Sequence, residues 1–404
     1  MMTRGEQMLA LRRSRMAASP PFLRGGFRPF FFGGALWAVV ALALWLCALA
    51  GALELPSSFD PLAWHRHEML FGFVGAVVAG FLLTAIPNWT GRLPIAGLPL
   101  AGLFGLWLAA RVAMLFSGTV GALPAALFDV GFYLVLAALA AREVFAARNR
   151  NLPIVLLVLL FGAANGADHA GWAGLLTDPD IGIRAAIALV VLMISLIGGR
   201  IIPSFTRNWL AKQGVRDRLP GQPGRFDLVV IGATALALAA WILAPFSETA
   251  GAMLMAAGLL QAVRLSRWSG LRAISDPLVF ILHVGYAWIP AGLLALGASL
   301  LGAPLPVSVA IHALTAGAMA TMILAVMTRA TLGHTGRELR ANGPTVLIYV
   351  LITVGAVLRV AAPLGLLDYM PGMHLSALAW GGAFIGFLLV YGPILFARRP
   401  DEAH

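Results

Sequence analysis

The chain has 404 residues, of which 60% are hydrophobic and 11% are charged, whereas soluble globular proteins carry about 25% charged residues. This composition excludes a soluble enzyme and a disordered scaffold. A single cysteine, Cys47, excludes an intrachain disulfide and any cysteine-based zinc or iron–sulfur site. The net charge of +11 is interpreted from the positions of the basic residues along the chain.

The apolar stretches predict an all-α, polytopic membrane protein. A helix needs roughly 20 apolar residues to cross a bilayer, and such stretches, bounded by proline, glycine or charge, occur twelve times. The first is interpreted as an uncleaved helix, because its apolar run and its leader are too long for a signal peptide. In chain order the predicted spans are residues 30–51, 63–86, 97–117, 121–145, 153–176, 183–205, 227–246, 249–265, 277–301, 306–329, 343–364 and 373–397.

Arginine and lysine are concentrated in alternate connections. The amino-terminal leader, the 2–3, 4–5, 6–7, 8–9 and 10–11 connections and the tail hold 24 of the 28 basic residues. Cytoplasmic loops carry an excess of basic residues, so both termini are predicted to be cytoplasmic. We expect a basic leader (1–28), a single twelve-helix membrane domain (29–398) and a short tail (399–404). Topology explains the charge, and no nucleic-acid partner is inferred.

A weak internal repeat links helices 2, 6 and 10, which run in the same direction in this topology. They end in the related stretches PNWTGR (87–92), PSFTR (203–207) and LGHTGR (332–337), spaced by about 115 to 130 residues. Three units of four helices would form a threefold pseudo-symmetric bundle. The alternative is chance similarity between helix ends.

Five histidines are placed in one outer layer by the predicted topology. Imidazole is the commonest protein ligand for metals, so histidines from several helices at one depth suit a metal or haem site inside a bundle. The alternative is hydrogen bonding between helices. The layer consists of His65 and His67 in helix 2, His169 in helix 5, His312 in helix 10 and His374 in helix 12.

The two histidines of helix 2 have different directions. His65 and His67 are two residues apart, which on an α-helix turns them about 200° from each other. They serve one site only if the helix start is irregular, and otherwise two. Glu68 shares the face of His65 and is a candidate for orienting an imidazole or carrying protons; the alternative is a solvated carboxylate at the interface. His283 is placed in the inner third of helix 9 and His334 in the cytoplasmic loop after helix 10.

Arginines at spanning depth are costly and need a partner. Arg111 in helix 3 and Asp129 in helix 4 are equidistant from a hairpin turn near residue 120, which predicts a structural ion pair. Arg359 has no evident partner at its level except Asp168 or an anionic ligand. Arginine binds carboxylates in bidentate fashion, so Arg359 or Arg66 would suit a haem propionate, with snorkelling or ordinary ion pairing as the alternative.

Four stretches resemble the NnrS family of bacterial membrane proteins, and the resemblance covers nearly the whole chain. They are GFRPFF (26–31), WHRHE (64–68) with the following 71–92, GRIIPSFTRNW (199–209), and HALT (312–315) continuing through MTR (327–329) to GHTGR (333–337). The resemblance implies a twelve-helix protein of the bacterial inner membrane that contains haem and copper and is associated with the response to nitric oxide. The matching histidines here are His65, His67, His283, His312 and His334.

The architecture also resembles the catalytic subunit of haem–copper oxidases and of their nitric-oxide-reductase relatives. That subunit has twelve helices and holds a low-spin haem between histidines of its second and tenth helices, to which His65 or His67 with His312 is similar. Helices 6 and 7 carry no histidine here, and helix 10 has one instead of a His-x-His pair. An oxidase-style copper centre is therefore not expected, and the analogy rests on fold alone.

These features together predict a haem b protein, with copper as a second candidate metal, that binds nitric oxide and detoxifies or reduces it. We expect His312 and one of His65 or His67 as axial ligands, while His169, His283 and His374 are the further candidate metal ligands. Glu68 and Asp168 are candidate proton carriers. Electrons for turnover would come from quinol or a separate redox protein.

Two other classes of protein stay open. One is a non-catalytic protein that senses, scavenges or hands on nitric oxide or a metal. The other is a transporter, which twelve helices interrupted by proline and glycine favour. Against a transporter, the repeat is threefold and not inverted, and the polar groups cluster near one membrane face.

Overall fold

The computed structural model describes residue 14 and residues 18–149 and 151–400, whose regular structure is all helical. Among these residues, twelve helices are long and apolar enough to cross a membrane, which confirms the predicted all-α, polytopic membrane fold. Part of the basic segments that are predicted to be cytoplasmic lies outside the described part of the chain: Arg4, Arg12, Arg13 and Arg15 of the leader, Arg150 of the 4–5 connection, and residues 401–404 of the tail.

The twelve spanning helices are labelled α1 to α12 in chain order, and most of their bounds lie within a few residues of the prediction. α6 continues through Pro203 to Lys212, and α10 continues to His334, so His334 ends a helix and does not lie in a loop as predicted. The apolar pattern marks only the membrane-embedded part of a helix, and these two extend beyond it. The helices are Phe27–Leu49, Pro61–Thr90, Leu98–Leu115, Ala122–Ala146, Leu152–Trp172, Ile181–Lys212, Arg225–Leu243, Glu248–Ser266, Pro277–Leu300, Val307–His334, Gly343–Leu364 and Tyr369–Phe396.

The chain packs as two compact units. Of the described residues, those up to 183, together with 330–337 and 388–400, form the first unit, and residues 184–329 and 338–387 form the second. Helices α1 to α5 thus belong to the first unit, and α7, α8, α9 and α11 belong to the second. The single membrane domain and the threefold arrangement stay predictions.

In the first unit α1 packs on α2, α3 on α4, and α4 on α5. Aromatic side chains fill these interfaces, and Phe30, Phe31, Phe71 and Phe132 are fully buried. Lipid tails are as apolar as these side chains, so close packing and interhelical hydrogen bonds, not transfer out of water, hold membrane helices together. The polar groups inside this unit therefore matter for its stability.

In the second unit α8 packs against both α7 and α9. The contact with α9 is close because glycine faces glycine: a Cβ on Gly297 would lie 2.7 Å from the carbonyl oxygen of Gly251. Arg264 of α8 is buried, and it donates to Asp227 of α7 at 2.8 Å and to the Tyr286 hydroxyl of α9 at 3.0 Å. The same guanidinium also donates to Ser195 of α6 and therefore connects four helices.

Two helices change their winding immediately after a histidine. In α2 the π-helical segment Glu68–Val74 follows His67, and in α10 the π-helical segment Ala313–Met319 follows His312. π-Helical segments are rare and often occur at functional sites. Neither segment is visible in the apolar pattern of the sequence, although α2 and α10 carry two of the three related end motifs.

Candidate functional site

The carboxylate of Asp129 is the centre of a buried polar cluster in the first unit. Asp129 lies in α4 and is fully buried. Arg111 of α3 forms an ion pair with it through Nη2, which confirms the pair predicted from the hairpin between these two helices. A buried charge needs both an opposite charge and hydrogen bonds around it, and Asp129 has both.

His67 connects Asp129 to a second carboxylate. Its Nε2 lies 2.7 Å from Oδ2 of Asp129, and its Nδ1 lies 2.7 Å from Oδ2 of Asp168 in α5. An ionised carboxylate only accepts hydrogen bonds, so the imidazole carries a proton on each nitrogen whenever both acids are ionised. His67 is fully buried, and these two acids would stabilise a positive charge on its doubly protonated ring.

One turn of α5 supplies further polar groups to the same site. Nδ2 of Asn165 donates to Oδ2 of Asp129 at 2.7 Å, and Nε2 of His169 lies 3.2 Å from that oxygen. Asn165 and His169 are four residues apart and therefore share a face of the helix. Asp168, between them in sequence, reaches His67 instead.

Glu68 belongs to this site and is not a solvated carboxylate at the membrane interface. Its Oε1 accepts from Arg111 at 2.6 Å, and its Oε2 accepts from Nε1 of Trp37 in α1 at 2.5 Å. The sequence places Glu68 near a helix end, but α1 and α3 cover it there. The interacting ionisable and amide residues form what we name the Asp129 cluster: His67, Glu68, Arg111, Asp129, Asn165, Asp168 and His169.

Two side chains from neighbouring helices donate hydrogen bonds to the backbone of the π-helical segment of α2. The Tyr133 hydroxyl donates to the carbonyl oxygen of Phe71 at 2.5 Å, and Nε1 of Trp107 donates to the carbonyl oxygen of Gly72 at 3.0 Å. Irregular winding leaves such carbonyls accessible to side chains. These bonds fix α2 at the point where its two ionisable side chains enter the Asp129 cluster.

In the Asp129 cluster the carboxylates outnumber the arginines, so a cation can be held there. The three carboxylates face one guanidinium, that of Arg111. The negative charge that Arg111 leaves unbalanced can be balanced by protons on the histidines and on Glu68, or by a metal ion. His67, Asp129 and His169 each offer a ligand atom, and these atoms lie within 4.8 Å of one another. Imidazole and carboxylate donors suit several transition metals.

His65 and Arg66 have other surroundings than His67. The His65 ring stacks on Trp45 of α1 with ring centroids 4.0 Å apart, and Nη1 of Arg66 lies 3.0 Å from Oδ1 of Asp180. The segment Pro61–His67 is a regular α-helix, so its two histidines diverge. Of the two alternatives left by the sequence, separate surroundings are the one observed.

His312 and Arg359 lie close together in the second unit. Nδ1 of His312 is 2.6 Å from the carbonyl oxygen of Ser308, one turn earlier in α10. Arg359 of α11 is near enough to interact electrostatically with His312, and it hydrogen-bonds to Tyr369, a partner that the sequence did not predict. Nη1 of Arg359 is buried and has no hydrogen-bond partner among the described residues.

The remaining predicted metal ligands have different environments. Nε2 of the buried His283 lies 2.8 Å from Oγ1 of Thr206, and its Nδ1 is buried without a hydrogen-bond partner in the described part of the chain. His374 is exposed near the start of α12. Neither belongs to the group of ligand atoms in the Asp129 cluster.

Four residues that build the site were not predicted from the sequence: Trp37, Trp107, Tyr133 and Asn165. All are uncharged, so the high cost of a charge at spanning depth, which distinguishes residues such as Arg111 and Asp129, does not distinguish them. The spacing of Asn165 four residues before His169 is the one signal that points to a shared helix face.

In the described part of the chain, twelve helices able to span a membrane define a multi-pass membrane protein, and its buried His67, Asp129 and His169 could hold a metal ion. The family model described as NnrS protein matches residues 21–399, nearly the whole chain. The chain therefore belongs to the NnrS family. Membership supports a membrane protein of the nitric oxide response. No curated protein matches the chain significantly.

Proposed function

We propose that this protein binds nitric oxide at a redox-active metal and detoxifies it. The observation that supports this most directly is the buried group of His67, Asp129 and His169, whose ligand atoms are close enough to share one ion. Nitric oxide is small and uncharged and dissolves in lipid, so a site buried among membrane helices needs no polar channel for it.

The donor set of the Asp129 cluster fits copper. A copper ion held by His67, His169 and Asp129 would replace the proton between His67 and Asp129, and Nδ1 of His67 would keep its bond to Asp168. A carboxylate on the far nitrogen of a ligating histidine fixes the ring and raises its basicity. In this interpretation Asp168 is a positioning residue, and imidazole nitrogen is a donor that copper favours.

His312 fits a haem ligand better than His67 does. The carbonyl oxygen of Ser308 accepts from Nδ1 of His312, which leaves Nε2 unprotonated in the neutral ring, as in many metal-bound histidines. Both nitrogens of His67 are engaged by carboxylates instead. The unpartnered Nη1 of Arg359 is a suitable donor to a carboxylate such as a haem propionate. We propose that His312 and Arg359 hold a b-type haem.

A bound haem or copper ion would supply the nitric oxide binding position and the electron transfer. Reduction of two nitric oxide molecules to nitrous oxide and water takes two electrons and two protons. The Asp168 side chain is 11% exposed, whereas those of His67 and Asp129 are fully buried. Asp168 is therefore the proposed entry point for protons, and Glu68 a further carrier. The electrons would come from quinol or a redox protein.

We place the protein in the bacterial inner membrane with both termini in the cytoplasm. The support is the distribution of basic residues, which lie mostly in alternate connections. Residues 1–28 would then be a cytoplasmic leader and residues 399–404 a cytoplasmic tail, flanking the membrane domain.

The proposal is tested by metal content and visible spectra of the purified, full-length protein in detergent. Iron and copper are measured by mass spectrometry, and spectra are recorded oxidised, dithionite-reduced and after anaerobic nitric oxide. We expect a Soret band that nitric oxide shifts. His169→Gln should lower copper affinity at least tenfold with an unchanged Soret band, and His312→Gln should remove the Soret band with copper retained.

The control variant is His374→Gln, which alters an exposed histidine and should change neither metal. Equal metal content in all three variants would contradict the assigned ligands. Absence of both metals from the wild-type protein would contradict the proposed function. Nitrous oxide formation with an added electron donor separates turnover from binding alone.

A further inference from the structure

A basic cavity lies in the first unit where the ends of several spanning helices meet. Its volume is about 550 Å³, within the range of roughly 300–1,000 Å³ typical of small-ligand sites. It is lined by the residues that precede and begin α1, by the last turns of α2 and α10, and by the residues that follow α12. We name it the basic pocket.

The charged side chains around the basic pocket are all potentially cationic. They are Arg24, Arg28, His334, Arg398 and Arg399, and none of the described residues that line the pocket is acidic. Arg399 is close enough to His334 to interact electrostatically. Cationic groups gathered in this way repel one another, so an anion placed among them stabilises their arrangement.

Arg28 binds the carboxyl-terminal end of α12 beside the basic pocket. It is 4% exposed, and its Nη1 donates to the carbonyl oxygens of Leu395 at 2.8 Å and Ala397 at 2.7 Å. These carbonyls belong to the end of α12, whose partial negative charge would otherwise disfavour an anion. The first turn of α1 begins at Phe27 beside the cavity. The positive end of this helix dipole favours an anion in the cavity.

Aromatic packing positions the arginines. The Phe22 ring stacks on Phe396 with centroids 4.3 Å apart, which brings the segment carrying Arg24 to the end of α12, where Arg398 and Arg399 follow. The His334 ring lies 5.6 Å from that of Phe27. The pocket is thus held by side-chain contacts from α1, α10 and α12.

The rest of the basic pocket has an apolar part and two uncharged polar side chains. Phe27, Leu83, Pro87 and Pro94 form the apolar part, and Thr84 and Asn88 are the polar residues. A site with a cationic part and an apolar part, at the ends of membrane helices, matches a ligand that has a phosphate group and acyl chains. The distribution of basic residues predicts that this end faces the cytoplasm, where the membrane surface is negative.

We propose that the basic pocket binds the phosphate group of an anionic phospholipid. The arginines take the phosphate through charge-assisted hydrogen bonds, and the apolar wall takes the start of the acyl chains. Free inorganic phosphate has the same charged chemistry but would gain nothing from the apolar wall. The proposal is independent of the two proposed metal sites, because no residue of the basic pocket belongs to the Asp129 cluster or to the pair of His312 and Arg359.

The test measures thermal stabilisation of delipidated, full-length protein in detergent by added lipid. The probes are phosphatidylglycerol, phosphatidylcholine and inorganic phosphate. The pocket variant carries Arg398→Gln and Arg399→Gln, and the matched control carries Arg216→Gln and Arg225→Gln, two exposed arginines outside the pocket. Arg28 is left intact because of its bonds to α12.

We expect phosphatidylglycerol to raise the unfolding temperature of wild type and of the control variant more than phosphatidylcholine does. The pocket variant should lose at least half of that difference, and its unliganded unfolding temperature shows that it is folded. Equal stabilisation of the pocket and control variants would overturn the proposal. Full stabilisation by inorganic phosphate alone would overturn the assignment to a lipid.

Discussion

At the scale of single residues, the burial of a carboxylate determines how much its ion pair contributes to the stability of the fold. Asp129 is fully buried and interacts with His67, Arg111, Asn165 and His169. Asp180 also forms an ion pair, with Arg66, but the two side chains are 48% and 39% exposed. Exposed pairs contribute about 0–1 kcal/mol, whereas breaking a buried pair costs roughly 3–5 kcal/mol.

We therefore expect Asp129→Asn to destabilise the protein by about 3–5 kcal/mol, because the buried Arg111 and His67 lose their shared counter-charge. Asp180→Asn is the matched control and should change stability by about 1 kcal/mol or less. Asparagine keeps the shape of aspartate, so charge is the variable in both. Thermal unfolding in detergent measures the difference, and equal shifts in the two variants would contradict the role given to Asp129.

The sequence could predict one contact of this cluster and not the others. Arg111 and Asp129 are equidistant from a tight turn, so hairpin geometry alone brings them to one level. The bonds from His67 to Asp129 and Asp168 depend on how α2 is rotated against α4 and α5. No spacing within the sequence determines that rotation.

At the scale of elements, the π-helical segment of α2 is in close contact with the carboxylate of Glu68 and the indole of Trp37. Gly72 lies in this segment, and a Cβ there would be 2.6 Å from Oε2 of Glu68 and 2.7 Å from Nε1 of Trp37. Those two atoms are hydrogen-bonded to each other. A methyl group at Gly72 would therefore push the pair apart.

We expect Gly72→Ala to lower the unfolding temperature by several degrees, because the Trp37–Glu68 bond is strained or lost in a buried site. Gly105→Ala, in α3, is the control: nothing lies within 4 Å of a Cβ there, and alanine favours a helix over glycine. Its unfolding temperature should stay the same or rise slightly. Tryptophan fluorescence should report the change around Trp37 in the first variant only. If Gly72→Ala behaves as Gly105→Ala does, the close approach described for α2 is wrong.

At the scale of the whole molecule, the twelve spans were predictable because each depends on local composition. Membrane burial requires about 20 apolar residues in succession, which a single sequence shows directly. The continuation of α6 from residue 206 to Lys212 was not predictable in this way, because this segment is more polar and lies beyond the apolar run. The winding change after His312 likewise leaves no trace in composition.

The orientation of the whole chain is the remaining prediction at this scale. The connection between α6 and α7 is basic and is predicted to be cytoplasmic, whereas the connection between α9 and α10 has no lysine or arginine and is predicted to face outward. Gly221 and Ala303 are exposed in these two connections. The one native cysteine, Cys47, can be removed to leave each position as a unique label site.

On a Cys47→Ala background, a membrane-impermeant maleimide applied to spheroplasts should label Ala303→Cys and leave Gly221→Cys unlabelled. After permeabilisation both should react to the same extent, which controls for accessibility of the thiol. The reverse pattern would invert the topology, and the basic pocket at the ends of α1, α2, α10 and α12 would then face outward. The same experiment therefore decides on which side of the membrane an anionic lipid would have to be supplied.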